Sequence, residues 1–181
     1  MQVITSITAA EATDIYAISF LVGNEDDDPR HPVLTIGNNT EAQFRRSSAD
    51  ASDRSEARWN YAFWLQNELA VIGDRTRDPG GAAARRRWIS ELGLWYDEPA
   101  DSADWAATVG PLAAQIEAHF NQACVQLAQH LHDSGVLEGA IGRRIPVIVH
   151  ELEYHEAIAR RTEAANPPGL ADAFTTWVRA G

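Results

Sequence analysis

Apolar side chains recur about every four positions between residues 112 and 131, which is the spacing of one face of a helix. The apolar stripe consists of Leu112, Ile116, Phe120, Cys124, Leu127 and Leu131. Pro111 suits the first turn of a helix, and Ser134-Gly135 suits the stop. The sequence therefore predicts an amphipathic helix from about Pro111 to Asp133.

Three shorter runs rich in β-branched, aromatic and apolar residues predict strands. They cover residues 15–22, 33–37 and 145–149. The first two runs flank a turn-forming segment that is rich in acidic residues, so we expect a hairpin with a long acidic loop. Pro146 lacks a backbone N–H, which favours the first position or an edge for the third strand.

The remaining segments predict helices and loops around this sheet. A helix is expected from about residue 153 to residue 165, and a last helix carries Leu170, Phe174 and Trp177 on one face. A flexible loop is expected near 74–84, where Asp78-Pro79-Gly80-Gly81 occurs. Residues 59–72 have a mixed period that fits either a strand or a helix. The chain as a whole, 1–181, is predicted to be a single α+β domain, with a small, mostly antiparallel sheet packed against several helices.

The charge of the chain narrows the classes of function. There are 26 acidic and 15 basic residues, the net charge is −11, and every basic residue is arginine. The lack of lysine excludes Schiff-base chemistry, a P-loop lysine and Ser-Lys dyads. The negative net charge argues against nucleic acid as a partner, since nucleic-acid binding needs clustered positive charge. Residues 1–30 carry −5 and residues 91–140 carry −8, which could attract a basic protein or simply keep the chain soluble.

Composition also indicates a compartment. No apolar run approaches the length of a membrane span, and the first residues lack the features of a signal peptide. A single cysteine, Cys124, excludes an intramolecular disulfide framework and falls on the apolar stripe. These observations favour a cytoplasmic protein with no membrane partner.

The segment VIVHELEYHE, residues 147–156, resembles the zinc-protease pattern H-E-x-x-H but carries one residue too many. On one helix, His150 and His155 would point about 140° apart, too far to bind one ion. A strand that ends near Val149 leaves two readings. His150, Glu151 and His155 could converge through the bend as a metal or catalytic site, or they could cap and pair locally at the end of a strand. No cofactor is predicted.

Acidic and aromatic residues supply the candidates for protein binding. Glu25 is followed by Asp26, Asp27 and Asp28, a run that could bind calcium or form a loop that faces a partner. Tryptophans beside acids are typical of recognition surfaces, although packing beneath loops explains them equally well. The candidates for this surface are Trp59, Trp64, Trp95, Glu98, Asp101, Asp104 and Trp105.

One basic cluster stands out in this acidic chain. Arg85-Arg86-Arg87 follows a segment of glycine and alanine. Such a cluster could bind phosphate or carboxylate, or it could balance charge at the start of a helix.

Two segments of the first half resemble a known family. They are residues 14–20, with the turn 24–30 and Pro32, and residues 58–64, RWNYAFW. This pattern resembles a bacterial family catalogued as a domain of unknown function, whose members are often found near polymorphic-toxin genes, where immunity proteins accumulate. The resemblance implies a small intracellular α+β protein with an immunity or partner-binding role. It implies no catalytic residue.

The sequence thus leads to one favoured hypothesis and two alternatives. We expect a non-catalytic cytoplasmic protein-binding module, an immunity-type protein that neutralises a basic toxin partner by occlusion. The first alternative is a metal-dependent hydrolase that uses His150, Glu151 and His155. The second is a scaffold subunit, which would form a stable homo-oligomer and bury its tryptophans in doing so.

Overall fold

The computed structural model describes Ile4, residues 7–97 and residues 105–181 of the chain. In these ranges the strands are β1 (Ile15–Asn24), β2 (Pro32–Thr40), β3 (Ala70–Ile72) and β4 (Val147–His150). The helices are α1 (Ala9–Ala12), α2 (Glu41–Ser47), α3 (Arg54–Trp59), α4 (Pro79–Glu91), α5 (Gly110–Asp133), α6 (Val136–Ile141), α7 (Glu156–Ala165) and α8 (Asp172–Ala180). Single 3₁₀-helical turns occur at Glu25–Asp27 and Tyr61–Phe63, and a π-helical turn occurs at Trp105–Val109.

The four strands form one sheet in the order β3-β2-β1-β4, and the predicted α+β class is confirmed. β4 lies at an edge and runs parallel to β1, with Ile18 opposite Val147 and Phe20 opposite Val149. A parallel ladder needs a long crossover between its strands, which the helices between β1 and β4 supply. The sheet is therefore mixed.

Most predicted elements lie where the hydrophobic pattern placed them. The long amphipathic helix is α5, and the three predicted strands correspond to β1, β2 and β4. The predicted helix from about residue 153 begins later, at Glu156, after His155 in an extended conformation. The ambiguous segment 59–72 is neither one strand nor one helix, since it holds the end of α3, a single turn and the short β3.

The prediction of a loop near 74–84 is wrong for its second half, because α4 begins at Pro79. Pro79 occupies the first turn, where its missing N–H costs nothing. A carboxylate oxygen of Asp78 caps this end by accepting a hydrogen bond from the N–H of Gly81 at 3.0 Å. Pro79 and the cap by Asp78 thus offset the low helix propensity of Gly80 and Gly81.

The described residues cluster into two compact units. The first unit consists of the described parts of Met1–Leu21, Thr35–Ala70 and Cys124–Gly181. The second unit consists of the described parts of Val22–Leu34 and Val71–Ala123. The expectation of a single domain stays a prediction.

An aromatic cluster forms the core of the first unit. The ring of Trp59 lies edge-on against both Tyr16 and Phe174, with centroids 5.9 Å apart in each pair. Ile148 of β4 and Ile158 of α7 complete the cluster from the sheet and from the helix. Edge-to-face aromatic pairs add about 0.5–1.5 kcal/mol each to the effect of burial, so this cluster is a main source of stability.

Side chains from α7 and the residue after it cover the outer edge of β4. The N–H of Val149 donates to Oγ1 of Thr162 at 3.1 Å, and this hydroxyl lies 3.2 Å from the carbonyl oxygen of Val149. The amide of Asn166 accepts from the N–H of Val147 at 2.8 Å and donates to its carbonyl oxygen at 2.7 Å. The edge strand therefore has its outward backbone groups satisfied without a neighbouring strand.

The core of the second unit is smaller. Ile89 of α4, Leu94 and Ile116 of α5 are buried together. Trp88 and Trp95 pack against them and are partly buried. Within the described ranges, no helix combines the length and the apolar character needed to cross a membrane.

Candidate functional site

The segment 147–156, which resembles a zinc-protease motif, contains a fully buried histidine. His150 ends β4 with 0% of its surface exposed. Its Nε2 lies 2.8 Å from Oγ of Ser19, and its Nδ1 lies 2.9 Å from the carbonyl oxygen of Glu151. Because a carbonyl oxygen only accepts, Nδ1 donates, and Nε2 accepts the hydroxyl proton of Ser19. Burial lowers the pKa of His150 to about 4, so the imidazole is neutral.

The other two candidates of this motif point to separate roles. Oε1 of Glu151 accepts from a guanidinium nitrogen of Arg161 at 2.6 Å. His155 is exposed and precedes α7. Among the described residues, no three side chains of histidine, cysteine, aspartate or glutamate come together in a group that could hold a metal ion. The structure does not assemble His150, Glu151 and His155 into a metal site: His150 and Glu151 pair locally, and His155 occupies the position before α7 without a capping hydrogen bond from its side chain.

The predicted tryptophan surface needs correction at two positions. Trp59 and Trp64 are buried, with 7% and 4% of their surfaces exposed. Trp64 donates its indole N–H to the carbonyl oxygen of Arg58 at 2.8 Å, which satisfies its polar atom inside the core. These two residues stabilise the first unit and are not available to a partner. Trp95 is half-buried, and Trp105 is 45% exposed.

Three acidic candidates, Glu98, Asp101 and Asp104, lie outside the described residues. The acidic run of the hairpin is described in full. We call the four residues Glu25 to Asp28 the acidic tip. Its two central residues, Asp26 and Asp27, are exposed, and both have a φ of 56°.

The outer residues of the acidic tip are tied down by arginines. Oε1 of Glu25 accepts from Nε of Arg75 at 2.9 Å, and its Oε2 lies 3.6 Å from Arg85. Both carboxylate oxygens of Asp28 accept from Arg30, at distances down to 2.7 Å. Burial opposes ionisation at both acids, but the hydrogen bonds from the arginines outweigh it and lower the pKa of Glu25 and of Asp28.

The centre of the acidic tip is presented differently. Asp26 contacts the guanidinium of Arg75 while keeping a side chain that is 75% exposed. Asp27 forms no hydrogen bond or ion pair within the described part of the chain, and its carboxylate faces solvent. The acidic tip therefore holds one free negative charge on a backbone that its flanking ion pairs fix.

A cavity of about 410 Å³ in the second unit is lined by the arginines that anchor the acidic tip. Its charged and aromatic lining consists of Arg30, His31, Arg75, Arg85, Arg86 and Trp95. We call it the arginine cavity. Arg85 is 7% exposed and donates through Nη1 to the carbonyl oxygens of Gly73 at 2.6 Å and Pro32 at 3.2 Å.

Aromatic rings hold two of these arginines. The guanidinium of Arg86 lies 4.5 Å from the centre of the Trp95 ring. The guanidinium of Arg30 lies 5.8 Å from that ring and 4.9 Å from the ring of Tyr96. Cation–π contacts of this kind restrict a long side chain without using its N–H donors. The sequence indicated Arg85, Arg86 and Arg87 as a possible anion site. It did not indicate that Arg30 and Arg75 line the same cavity, because neither belongs to this cluster in the sequence.

Searches of protein-family models, of curated proteins and of solved structures returned no match for this chain. What the chain can bind therefore follows from its own side chains. The described part of the second unit offers an exposed acidic tip and a cationic cavity.

Proposed function

We propose that this chain is a non-catalytic, cytoplasmic protein-binding module of the immunity type, which neutralises a basic partner protein by covering its active surface. The observation that carries the proposal is the acidic tip, where Asp26 and Asp27 are both held in the left-handed region with their carboxylates outward. The resemblance of residues 14–20, 24–30 with Pro32, and 58–64 to a toxin-associated family suggests a toxin as the partner.

The backbone of the acidic tip supports a role in binding. Two successive non-glycine residues with positive φ cost of order 1 kcal/mol each or more, and such strain gathers at functional positions. The flanking ion pairs, Glu25 with Arg75 and Asp28 with Arg30, hold the turn in this conformation. A loop that is ordered before binding loses less conformational entropy on association, which favours affinity.

Electrostatics supports a basic partner. The chain carries a net charge of −11, which draws a basic protein towards it over several ångströms and raises the association rate. Asp27 adds an exposed charge that is not neutralised by the described residues. The exposed ring of Trp105 is the kind of side chain that anchors an interface once the partner has docked.

The test compares two variants with the same change of charge. Asp27→Asn keeps a residue that tolerates positive φ and removes only the negative charge. Asp50→Asn removes a charge from an exposed residue of the first unit. Basic proteins encoded next to this gene are assayed for association with each variant by surface plasmon resonance at low and at high salt.

We expect Asp27→Asn to slow association about fivefold at low salt, equivalent to about 1 kcal/mol of lost attraction, and to have little effect at high salt. Asp50→Asn is expected to behave like the wild type. Equal effects of the two variants would show that the acidic tip is not the contact surface. Failure of every neighbouring basic product to bind would remove the toxin as the partner.

A further inference from the structure

We propose that the arginine cavity binds the phosphate group of a small phosphorylated molecule, that is, a phosphate monoester. This site is separate in its chemistry from the acidic tip, and it goes beyond the protein-binding role proposed above. The argument depends on the charge of the lining, on the groups that hold it and on donors that lack partners.

The lining of the cavity is cationic in an acidic protein. Four arginines and one histidine line it, and no aspartate or glutamate among the described residues does so. The whole chain contains 26 acids and 15 arginines, so four arginines around one cavity are a local reversal of the average charge. A concave surface with one sign of charge concentrates ligands of the opposite sign.

Carboxylates outside the lining hold the arginines in place. Asp28 receives three hydrogen-bond contacts from the guanidinium of Arg30, and Glu25 pairs with Arg75 and Arg85. Guanidiniums fixed in this way are already oriented when a ligand arrives, so less side-chain entropy is lost on binding. The same arrangement lowers the energetic cost of placing several like charges side by side.

Two buried nitrogens of the lining have no hydrogen-bond partner among the described residues. They are Nε of Arg85, whose side chain is 5% exposed, and Nδ1 of His31. The nearest carboxylate oxygen to Nδ1 of His31 belongs to Asp28 and lies 3.4 Å away. Buried polar atoms without partners are rare in folded proteins. Both nitrogens are closed to solvent, as is the equally unpartnered Oε2 of Glu25, so a ligand in the cavity meets these side chains through their other atoms.

Arg86 has the geometry of a residue that contacts such a ligand. It is exposed, its guanidinium rests on Trp95, and it forms no ion pair within the described ranges. Its N–H groups are therefore available, in contrast to those of Arg30. Guanidiniums match the oxygens of phosphate with two parallel hydrogen bonds.

Phosphate fits the site better than carboxylate. A phosphate monoester carries close to two negative charges near neutral pH, so it is attracted to Arg86, which is unpaired among the described residues, more strongly than a carboxylate with one charge is. A volume of about 410 Å³ lies within the range of pockets for small organic ligands and exceeds what a bare ion needs. The two alanines of α4 in the lining, Ala82 and Ala83, leave room and apolar surface for the organic part.

The test measures binding of phenyl phosphate, inorganic phosphate and benzoate to the full chain by isothermal titration calorimetry at constant ionic strength. Arg86→Gln removes the available guanidinium from the lining, and Arg87→Gln removes an exposed neighbour that is not part of it. Both residues are exposed, so both variants are expected to fold. Circular dichroism and thermal unfolding check this.

We expect phenyl phosphate to bind at least as tightly as inorganic phosphate and at least tenfold more tightly than benzoate. Arg86→Gln should weaken the binding of phenyl phosphate at least about tenfold, and Arg87→Gln by less than about twofold. Equal loss in both variants would show only diffuse attraction of anions and would overturn the proposal. Binding of benzoate as tight as that of phenyl phosphate would overturn the preference for phosphate over carboxylate. Binding of inorganic phosphate without binding of phenyl phosphate would overturn the proposal that the ligand is an organic phosphate ester.

The test is independent of the protein partner. Asp27→Asn, which probes the proposed partner surface, should leave the affinity for phenyl phosphate within about twofold of the wild type because Asp27 is absent from the lining. A failure of partner binding with intact phosphate binding would contradict the proposed function alone. The reverse result would contradict only the phosphate site.

Discussion

The hydroxyl of Ser19 lies 2.8 Å from Nε2 of His150, and this hydrogen bond joins β1 to β4 where both side chains are buried. With Nδ1 donating to the carbonyl oxygen of Glu151, the imidazole has both nitrogens satisfied only while it is neutral. A second proton would break the bond from Ser19 and place an unpaired charge in the core. His150 therefore makes the stability of the fold depend on pH.

The first prediction concerns this dependence. The unfolded chain protonates His150 near its usual pKa of 6.5, whereas the folded chain does so only near about 4. Between these values the unfolded state binds more protons, so the free energy of unfolding falls as the pH falls. The full contribution is present above about pH 6.5, and the loss reaches about 3 kcal/mol near pH 4. Urea unfolding at a series of pH values measures it.

The control for this prediction is a second histidine. His150→Gln should remove this part of the slope between pH 6.5 and about 4, although it lowers stability at every pH. His130→Gln changes an exposed histidine of α5 and should keep the slope. Parallel curves for the wild type and His150→Gln would contradict the assignment of the effect to His150.

The second prediction concerns metal. Both nitrogens of His150 are hydrogen-bonded, and Glu151 is paired with Arg161, so neither side chain is free to bind an ion. We expect elemental analysis of untagged protein, purified without added metal or chelator, to find less than about a tenth of an equivalent of zinc, iron or manganese. One equivalent that disappears in a His150→Ala, His155→Ala double variant would instead support the hydrolase alternative.

The third prediction tests a polar network inside the aromatic core. The hydroxyl of Tyr16 donates to the carbonyl oxygen of Arg58 at 2.5 Å and accepts from the amide of Asn39 at 2.8 Å. Tyr16→Phe leaves the Asn39 amide, which is 0% exposed, without this acceptor. We expect a loss of about 1–3 kcal/mol in the free energy of unfolding, measured by urea denaturation.

Tyr61→Phe is the matched change for this network. The hydroxyl of Tyr61 makes no hydrogen bond within the described residues, although its ring packs on His150 with centroids 5.0 Å apart. This variant should change the free energy of unfolding by less than about 0.5 kcal/mol. A similar loss in both variants would mean that the network of Tyr16 contributes nothing specific.

The fourth prediction concerns the single thiol. Cys124 is 3% exposed, and burial raises its pKa to about 12. Because the thiolate is the reactive form, Ellman's reagent should modify the native protein only at the rate of unfolding and the unfolded protein at once. Gln126→Cys in a Cys124→Ser background places a thiol on an exposed position of α5 and should react at least about a hundredfold faster. Equal rates would show that Cys124 is accessible.

How far the sequence predicts this fold depends on the range of the interactions involved. α5 was predicted almost to the residue, because its apolar stripe repeats over about five turns and its ends carry local signals. The start of α4 falls in a segment predicted to be a loop, since Gly80 and Gly81 are typical of loops, and the hydrogen bond that the N–H of Gly81 donates to Asp78 is seen only in the folded chain. A repeating local pattern thus predicts the body of a helix, whereas a single capping residue decides where the helix begins.

The site was less predictable because its contacts link distant positions. Trp59 and Trp64 have acidic and polar neighbours in sequence, yet their partners in the core are Tyr16 and Phe174. Glu25 and Arg75 are 50 residues apart, and no spacing rule connects them. The acidic run was recognised from sequence, but its fixed conformation and the cavity lined by its anchoring arginines required the folded chain.

The side chains along β4 have a consequence for how anything could recognise the first unit. Thr162 and Asn166 reproduce, with one hydroxyl and one amide, the alternation of donor and acceptor that a fifth strand would offer. An extended peptide has no free backbone group of Val147 or Val149 to pair with, so recognition by strand addition is closed at this edge. A partner of the first unit must then recognise side chains and surface shape, which makes specificity depend on residue identity and not on a shared backbone geometry.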